Sequence, residues 1–387
     1  MDRTAALSSW CEISLPSIEG NLIRALTLLP RNAMFCAVLK SDAYGHGIAN
    51  VVPILSRNKV QNIGIVSNQE ARAVRDAGFT GHVIRLRCAT LAEAQAALPL
   101  RIEEQISSPE GARIWRELHS TAPVHLALNA DGMSRDALEL RSDRGRQKAQ
   151  EILELCAGHI RGICTHYPSN TCEDLAKTAA CFAEDAAWIV QHGKLDRQQI
   201  LIHAGSSLTL VADAPPPTDM LRCGAILYGI LKPDLGFEPT MTVKSRVVSL
   251  SSYSAGNSVG YDRTVRLNRD SRLASVSIGY ANGIERHWTD RFHVLIQGKH
   301  VPVLGKVSMN LLTIDVTDVP VIEVGDEVVI FGAQAGSCID PTQIQVQSST
   351  IMAELYASWG QRNTQIPCDK CSVVSKFRWT ASSTCGT

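Results

Sequence analysis

Eight short apolar or β-branched runs recur through the first 230 residues, and helix-like segments lie between most of them. The runs fall at residues 34–40, 62–67, 81–87, 102–107, 123–129, 160–166, 199–205 and 223–229. The intervening stretches 68–77, 90–98, 109–119 and 171–192 carry helical periodicity, clearest where Leu175, Ala179, Phe182, Ala186 and Val190 share one face. The last two runs are joined by a Pro-rich stretch at 214–217 with little room for a helix. Strand–helix alternation of this kind predicts an α/β fold, a closed (β/α)8 TIM barrel. A doubly wound open sheet is the rival, because alternation alone does not dictate closure.

Beyond about residue 240 the rhythm changes. Strand-like runs at 243–252, 272–280, 293–304, 311–316 and 327–331 follow one another without long helices, with a hairpin turn at 296–300 and helical sequence only at 350–359. The expected domains are therefore a barrel over 1–239 and a mostly-β domain over 240–367, against which the first dozen residues can pack. Residues 368–387 are small, polar and aperiodic, and are expected to be a disordered tail.

Composition narrows the function classes. Hydrophobic residues at 45%, charged residues at 20% and a net charge of zero describe a globular chain with no global field for nucleic acid or anionic membranes. No apolar stretch reaches the roughly 20 residues that span a bilayer. The N-terminus lacks a basic region followed by an apolar core, so a cytoplasmic protein, or a processed periplasmic form, is expected. Twelve scattered cysteines suit reduced thiols. Cys368 and Cys371 have zinc-like spacing, but no second pair completes four ligands, so no metal is expected.

The segment Ala37-Val38-Leu39-Lys40-Ser41-Asp42-Ala43-Tyr44-Gly45-His46-Gly47 carries the chemistry. A lysine at the C-terminal tip of a buried strand is partly desolvated, which lowers its pKa and frees its amine as a nucleophile. The glycine-rich turn behind it offers a phenol and backbone N–H groups for a phosphate. These are parts for holding pyridoxal 5'-phosphate as a Schiff base; a surface strand ending in an ordinary lysine has the same spacing.

This segment resembles the AVxKADAYGHG signature of the alanine racemase family of fold-type III pyridoxal phosphate enzymes, with Ser41 in place of an alanine. Ser258-Val259-Gly260-Tyr261-Asp262, Ser277-Ile278-Gly279-Tyr280-Ala281-Asn282-Gly283 and Gly305-Lys306-Val307-Ser308-Met309-Asn310 resemble three further family motifs, so the likeness covers about residues 10–367. It implies a homodimeric amino-acid racemase in which Lys40 and the partner subunit's Tyr261 are the two acid/base groups. Racemisation takes a proton from one face of Cα and returns one to the other, so two groups are needed. The resemblance further implies that Lys40, Tyr44, His166, Ser206, Arg222, Gly224 and Ala225 bind the cofactor. Arg135, Met309 and Tyr280 would meet the amino-acid substrate. A fold-type III decarboxylase would need a cysteine-containing catalytic loop instead of the VGYD and SMN stretches.

Departures sharpen the reading. Leu128 stands seven residues before Arg135, where many alanine racemases carry a lysine, and Asn310 replaces an aspartate. Ala127 with Asn129, Arg85 with Arg87, the SMN stretch and residues 10–14 resemble the broad-specificity amino-acid racemases, and broad specificity is expected over a strict alanine racemase. Gly205 stands where the phosphate motif usually has asparagine, Gln361 where a tyrosine is usual, and Asn282 where GYADG has aspartate. Cys36 matches a disulfide cysteine of the broad-specificity branch, but the partner position near Asn62 has none.

Overall fold

The computed structural model describes residues 4–118, 120–132, 135–288 and 292–369. The described residues form two compact units: one within 22–43 and 51–227, the other within 4–21, 44–50 and 228–369.

The first unit is a closed barrel of eight parallel strands: β1 (Met34–Val38), β2 (Asn62–Ile65), β3 (His82–Arg85), β4 (Ile102–Ile106), β5 (Val124–Asn129), β6 (Ile160–Cys164), β7 (Leu201–His203) and β8 (Met220–Cys223). Each strand pairs with the next, and β8 pairs back onto β1 through Met220–Met34 to Cys223–Ala37. The open-sheet alternative is thereby excluded. Helices start where a hydroxyl can accept an otherwise unpaired N–H of the first turn. Ser67, Thr90, Ser108, Ser142 and Thr171 cap Asn68–Asp76, Leu91–Ala97, Pro109–Glu117, Asp143–Leu155 and Cys172–His192 in this way.

Between β7 and β8 stands only the short helix Ser207–Leu210. The eighth strand lies earlier than the run at 223–229, which instead forms a 3-10 helix at Ala225–Tyr228. The N–H groups of Gly224 and Ile226 bond to the Ser207 hydroxyl rather than to a neighbouring strand, which ends the ladder at Cys223. Arg222 therefore sits near the C-terminal end of its strand.

Side-chain alternation along β5 sets the two faces of the barrel wall. Val124, Leu126, Leu128 and Ala130 pack outward with Ala112, Trp115, Ala149, Ile152, Phe182 and Ile189 of the helices. The inward face is polar, with His125 and His203 fully buried and Glu103 nearly so.

In the second unit, Met241–Tyr253, Ser271–Val276, Leu312–Asp315, Lys299–Leu304, His293–Ile296 and Glu327–Gln334 pair in a closed antiparallel ring. Ser9–Ser14 adds to Met241–Tyr253, and Thr364–Cys368 runs parallel to Ser9–Ser14. Trp10, Phe331, Tyr356 and Trp359 fill the core. Besides Met352–Arg362, a helix at Pro341–Ser348 escapes the sequence reading; its weakly amphipathic pattern gives little signal, although Asp340 caps it. The tail from residue 370, including Cys371, lies outside the described residues. Among the described residues no helix is long and apolar enough to cross a membrane, and no cluster of His, Cys, Asp or Glu could hold a metal ion.

Candidate active site

Lys40 stands two residues beyond the end of β1, half-buried. The N–H of Leu39 donates to the carbonyl of Gly64 at 2.8 Å, which ties the end of β1 to β2. The chain then turns left-handed: Ser41, Asp42, Ala43 and Tyr44 have φ of 55°, 52°, 56° and 54°. Each such residue costs about 1–2 kcal/mol, so the four store roughly 4–8 kcal/mol that surrounding bonds must offset. One of those bonds joins the Ala43 N–H to the Leu39 carbonyl at 2.9 Å. Burial lowers the pKa of Lys40, the charge of Arg135 lowers it further, and Glu70 opposes both. A lysine held this way has more of its amine deprotonated near neutrality than an exposed one, and so is more available as nucleophile and proton acceptor.

Other groups gather beyond the C-terminal ends of the strands, where barrel enzymes place their chemistry. Arg135 and His166, after β5 and β6, meet at 3.3 Å between Nη2 and Nε2. The guanidinium only donates, so His166 Nε2 accepts and the ring is neutral. Burial, with the charges of Arg222, Arg135 and Lys40, holds its pKa down to about 3.

Arg222 is fixed by three acceptors: Nη1 donates to His203 Nδ1 and the His203 carbonyl, each at 3.0 Å, and Nη2 donates to the Thr165 carbonyl at 2.6 Å. A string of hydrogen bonds runs on from there. With His203 Nδ1 accepting, its Nε2–H donates to His125 Nδ1 at 2.8 Å, and His125 Nε2–H donates to Glu103 Oε2 at 2.8 Å. The other Glu103 oxygen accepts from Arg161 Nη1 and lies 2.7 Å from His82 Nδ1. Two neutral imidazoles thus link the Arg222 cation to the Glu103 carboxylate. The sequence reading missed His203, His125 and Glu103; polar residues at inward positions of apolar strands were the available signal.

After β7 and β8, the structure brings Ser207 rather than Ser206 to the Gly224 loop. The Ser207 hydroxyl is buried and accepts from the Gly224 and Ile226 N–H groups at 3.2 Å each, while the Ser206 N–H donates to Thr209 Oγ1 at 3.0 Å. Ala225 lies between the two bonded amides. Gly205 has φ +79°, and a Cβ there would sit 2.8 Å from the Thr209 side chain, so this turn excludes an asparagine.

The second unit carries the remaining candidates. The Tyr44 ring lies 5.0 Å from that of Tyr228, on which His46 stacks at 4.4 Å. Tyr261 opens a 3-10 turn, is 58% exposed, and has the Arg286 guanidinium 5.8 Å from its ring centre. The next residue, Asp262, is ion-paired with Lys306. Gly260 has φ +77°, and a Cβ there would lie 3.1 Å from Gly305 Cα, so glycine permits the VGYD loop to touch the GKVSMN loop. Tyr280 and Met309 are exposed on neighbouring loops; the Tyr280 N–H donates to the Ser308 carbonyl, and the Ala281 N–H to the Met309 carbonyl. Asn282 accepts from the Gly279 N–H and donates to Ser9 Oγ and Asn363 Oδ1, a structural part that aspartate, without donors, would fill poorly.

One sequence inference changes. Leu128 points outward into the apolar layer, so its identity says nothing about a charge in the barrel mouth; Ala127 and Asn129 occupy the inward face. Arg85 is fully buried and bonds Glu104 through Nε and Nη2 and Asn68 through Nη2, while Arg87 is ion-paired with Glu93. Both guanidiniums are therefore engaged by carboxylates, Arg85 inside the barrel and Arg87 at a partly exposed position after its strand. Cys36 aligns with Asn62 across the β1–β2 register and is a free thiol, and Gln361 is exposed.

Comparison with known proteins gives the same outline. Residues 13–232 match the family model described as alanine racemase, N-terminal domain, and residues 240–367 that of its C-terminal domain. A broad specificity amino-acid racemase of Pseudomonas putida is 40% identical over 367 residues, covering 94% of this chain and 90% of that protein. A lysine racemase of Proteus mirabilis is 37% identical, with 94% and 90% coverage. The crystal structure of alanine racemase from Bacillus anthracis with bound L-Ala-P has a TM-score of 0.85 at 24% identity, covering 94% of this chain and 96% of that one. Alanine racemase from Bartonella henselae with covalently bound pyridoxal phosphate gives 0.80 at 21% identity, covering 93% and 99%.

Proposed function

Because the chain belongs to the alanine racemase family, we propose that it is a pyridoxal 5'-phosphate-dependent racemase of broad specificity that acts as a homodimer. The observation that carries this reading is the half-buried Lys40, its pKa lowered by burial and by Arg135, grouped with His166 and Arg222 at the C-terminal ends of the strands of one barrel.

The donor set fits the cofactor. Lys40 offers an amine, Arg222 a fixed guanidinium, and the Gly224–Ile226 loop the amide of Ala225, between the two N–H groups already bonded to the Ser207 hydroxyl. When bound, the cofactor supplies an electron sink that acidifies the substrate's α-proton. Lys40 moves a proton at Nζ on one face of Cα, and the partner subunit's Tyr261 moves one at its phenol oxygen on the other. The exposure of Tyr261 in a single chain supports its serving a second protomer. A guanidinium only donates, so Arg222 would hold the cofactor's ring nitrogen by a hydrogen bond. His166 stays neutral beside it, and Arg135 offers a cation to the substrate carboxylate.

Broad specificity, basic side chains included, rests on the relatives named for broad specificity and for lysine. Chiral chromatography after incubation with L-Ala, L-Ser, L-Lys and L-Arg tests it; conversion of alanine alone would leave a strict alanine racemase. Lys40→Ala is expected to abolish both turnover and the visible absorbance of the loaded enzyme, and retention of both would refute the role of Lys40.

A further inference from the structure

Glu70 lies in the first turn of the helix that follows β2 and is 9% exposed. As the third residue of a capping box it needs only to accept from its cap, and its Oε2 takes the Ser67 N–H at 3.1 Å. It does more. Oε2 also accepts the Val66 N–H at 2.7 Å, and Oε1 accepts the N–H of Ser41, 29 residues upstream, at 2.7 Å. Glu93, at the same position in the next capping box, turns instead to Arg87. Capping therefore leaves the Ser41 bond unexplained.

Ser41 is the first left-handed residue after Lys40. Its N–H leaves the strand ladder at the point where the chain reverses hand, and a carboxylate fixed by two other amides meets it. We propose that Glu70 is a positioning residue for Lys40: its carboxylate holds the start of the left-handed turn and so aims the lysine amine. The inference rests on the role given to Lys40 above.

The same anion acts on the lysine electrically. Of the groups around Lys40, Arg135 lowers its pKa, His166 is neutral, and Glu70 alone among these three raises it. Glu70→Gln keeps the shape but removes the charge and leaves at least one of the three amides facing a donor; Glu70→Ala removes both.

The test reads Lys40 in the full chain without cofactor. Reductive methylation with formaldehyde and cyanoborohydride is followed by peptide mass spectrometry across pH. In Glu70→Gln the midpoint for Lys40 should move down by about one pH unit. In the loaded enzyme, kcat should fall about 10²-fold with KM little changed, the mark of a misplaced group rather than a lost binding contact. A midpoint and kcat equal to wild type in Glu70→Gln would overturn the proposal, even if melting temperature drops, because capping alone would then account for Glu70. Should Glu70→Ala fail to fold, the Gln variant carries the test. Because methylation needs no cofactor, its result stands apart from the fate of the racemase reading, which Lys40→Ala decides in the loaded enzyme.

Discussion

Replacing Glu103 by glutamine should destabilise the barrel in a pH-dependent way. The side chain is 4% exposed and almost isosteric with glutamine, so no cavity forms. What disappears is the anion that accepts from His125 and Arg161. His125 is neutral and Arg161 partly exposed, so the loss is of two hydrogen bonds to a charged group at about 1.5 kcal/mol or more each, about 3 kcal/mol in all. In a unit of some 200 residues each kcal/mol shifts Tm by roughly 2–4 °C, so the expected fall at neutral pH is roughly 6–12 °C. Burial pulls the Glu103 carboxyl pKa up, but the His125 hydrogen bond and the Arg161 charge outweigh it and leave it lowered. A carboxyl that binds its proton more weakly when folded contributes fully above its unfolded pKa, and that contribution fades as pH drops through the folded value. The gap between wild type and variant should therefore be widest near pH 7 and close in acid, below about pH 4. His203, whose pKa is also lowered, destabilises both proteins below about pH 6.5 and cancels in the difference; Glu103 raises the pKa of His125, so loss of the carboxylate sustains the gap there until Glu103 itself takes up a proton in acid. Calorimetry at a series of pH values reads this directly. A Tm within about 2 °C of wild type at neutral pH, or a gap that does not narrow in acid, would refute the Arg222–His203–His125–Glu103 string as drawn.

Two further substitutions probe the second unit. Tyr261→Phe should suppress exchange of the α-proton of the L-isomer into D2O more than that of the D-isomer, as followed by NMR; equal residual rates would refute a one-sided role. Gly260→Ala should cost about 1–3 kcal/mol, from a positive φ and a Cβ 3.1 Å from Gly305. It should lower turnover at least tenfold by displacing Tyr261 while near-ultraviolet dichroism stays close to wild type, and full activity would show the loop contact to be dispensable.

Much of this protein was legible one residue at a time. Strand and helix periods, capping hydroxyls and the Lys40 and Tyr261 motifs are local properties, and local sterics and hydrogen bonding express them wherever the segment folds. The alternation of runs predicted β-α units, and the motifs located the lysine, the tyrosine and the arginine at 222. What remained hidden was relational. Whether eight strands close depends on β8 pairing back onto β1, a contact between residues some 186 positions apart. Counting from Arg135 placed Leu128 at the site, but strand parity turns it into the apolar layer. Ser206 and Ser207 are adjacent and chemically identical, and only the turn at Gly205 decides which one faces the Gly224 amides. Glu103, His125 and His203 are ordinary polar residues in their own strands and become one hydrogen-bonded string only when the barrel gathers their inward faces. The sequence by itself determined the local form of most segments and which side chains are candidates for the chemistry. The tertiary structure decided which of them meet, because meeting depends on register, parity and closure across segments far apart in the chain.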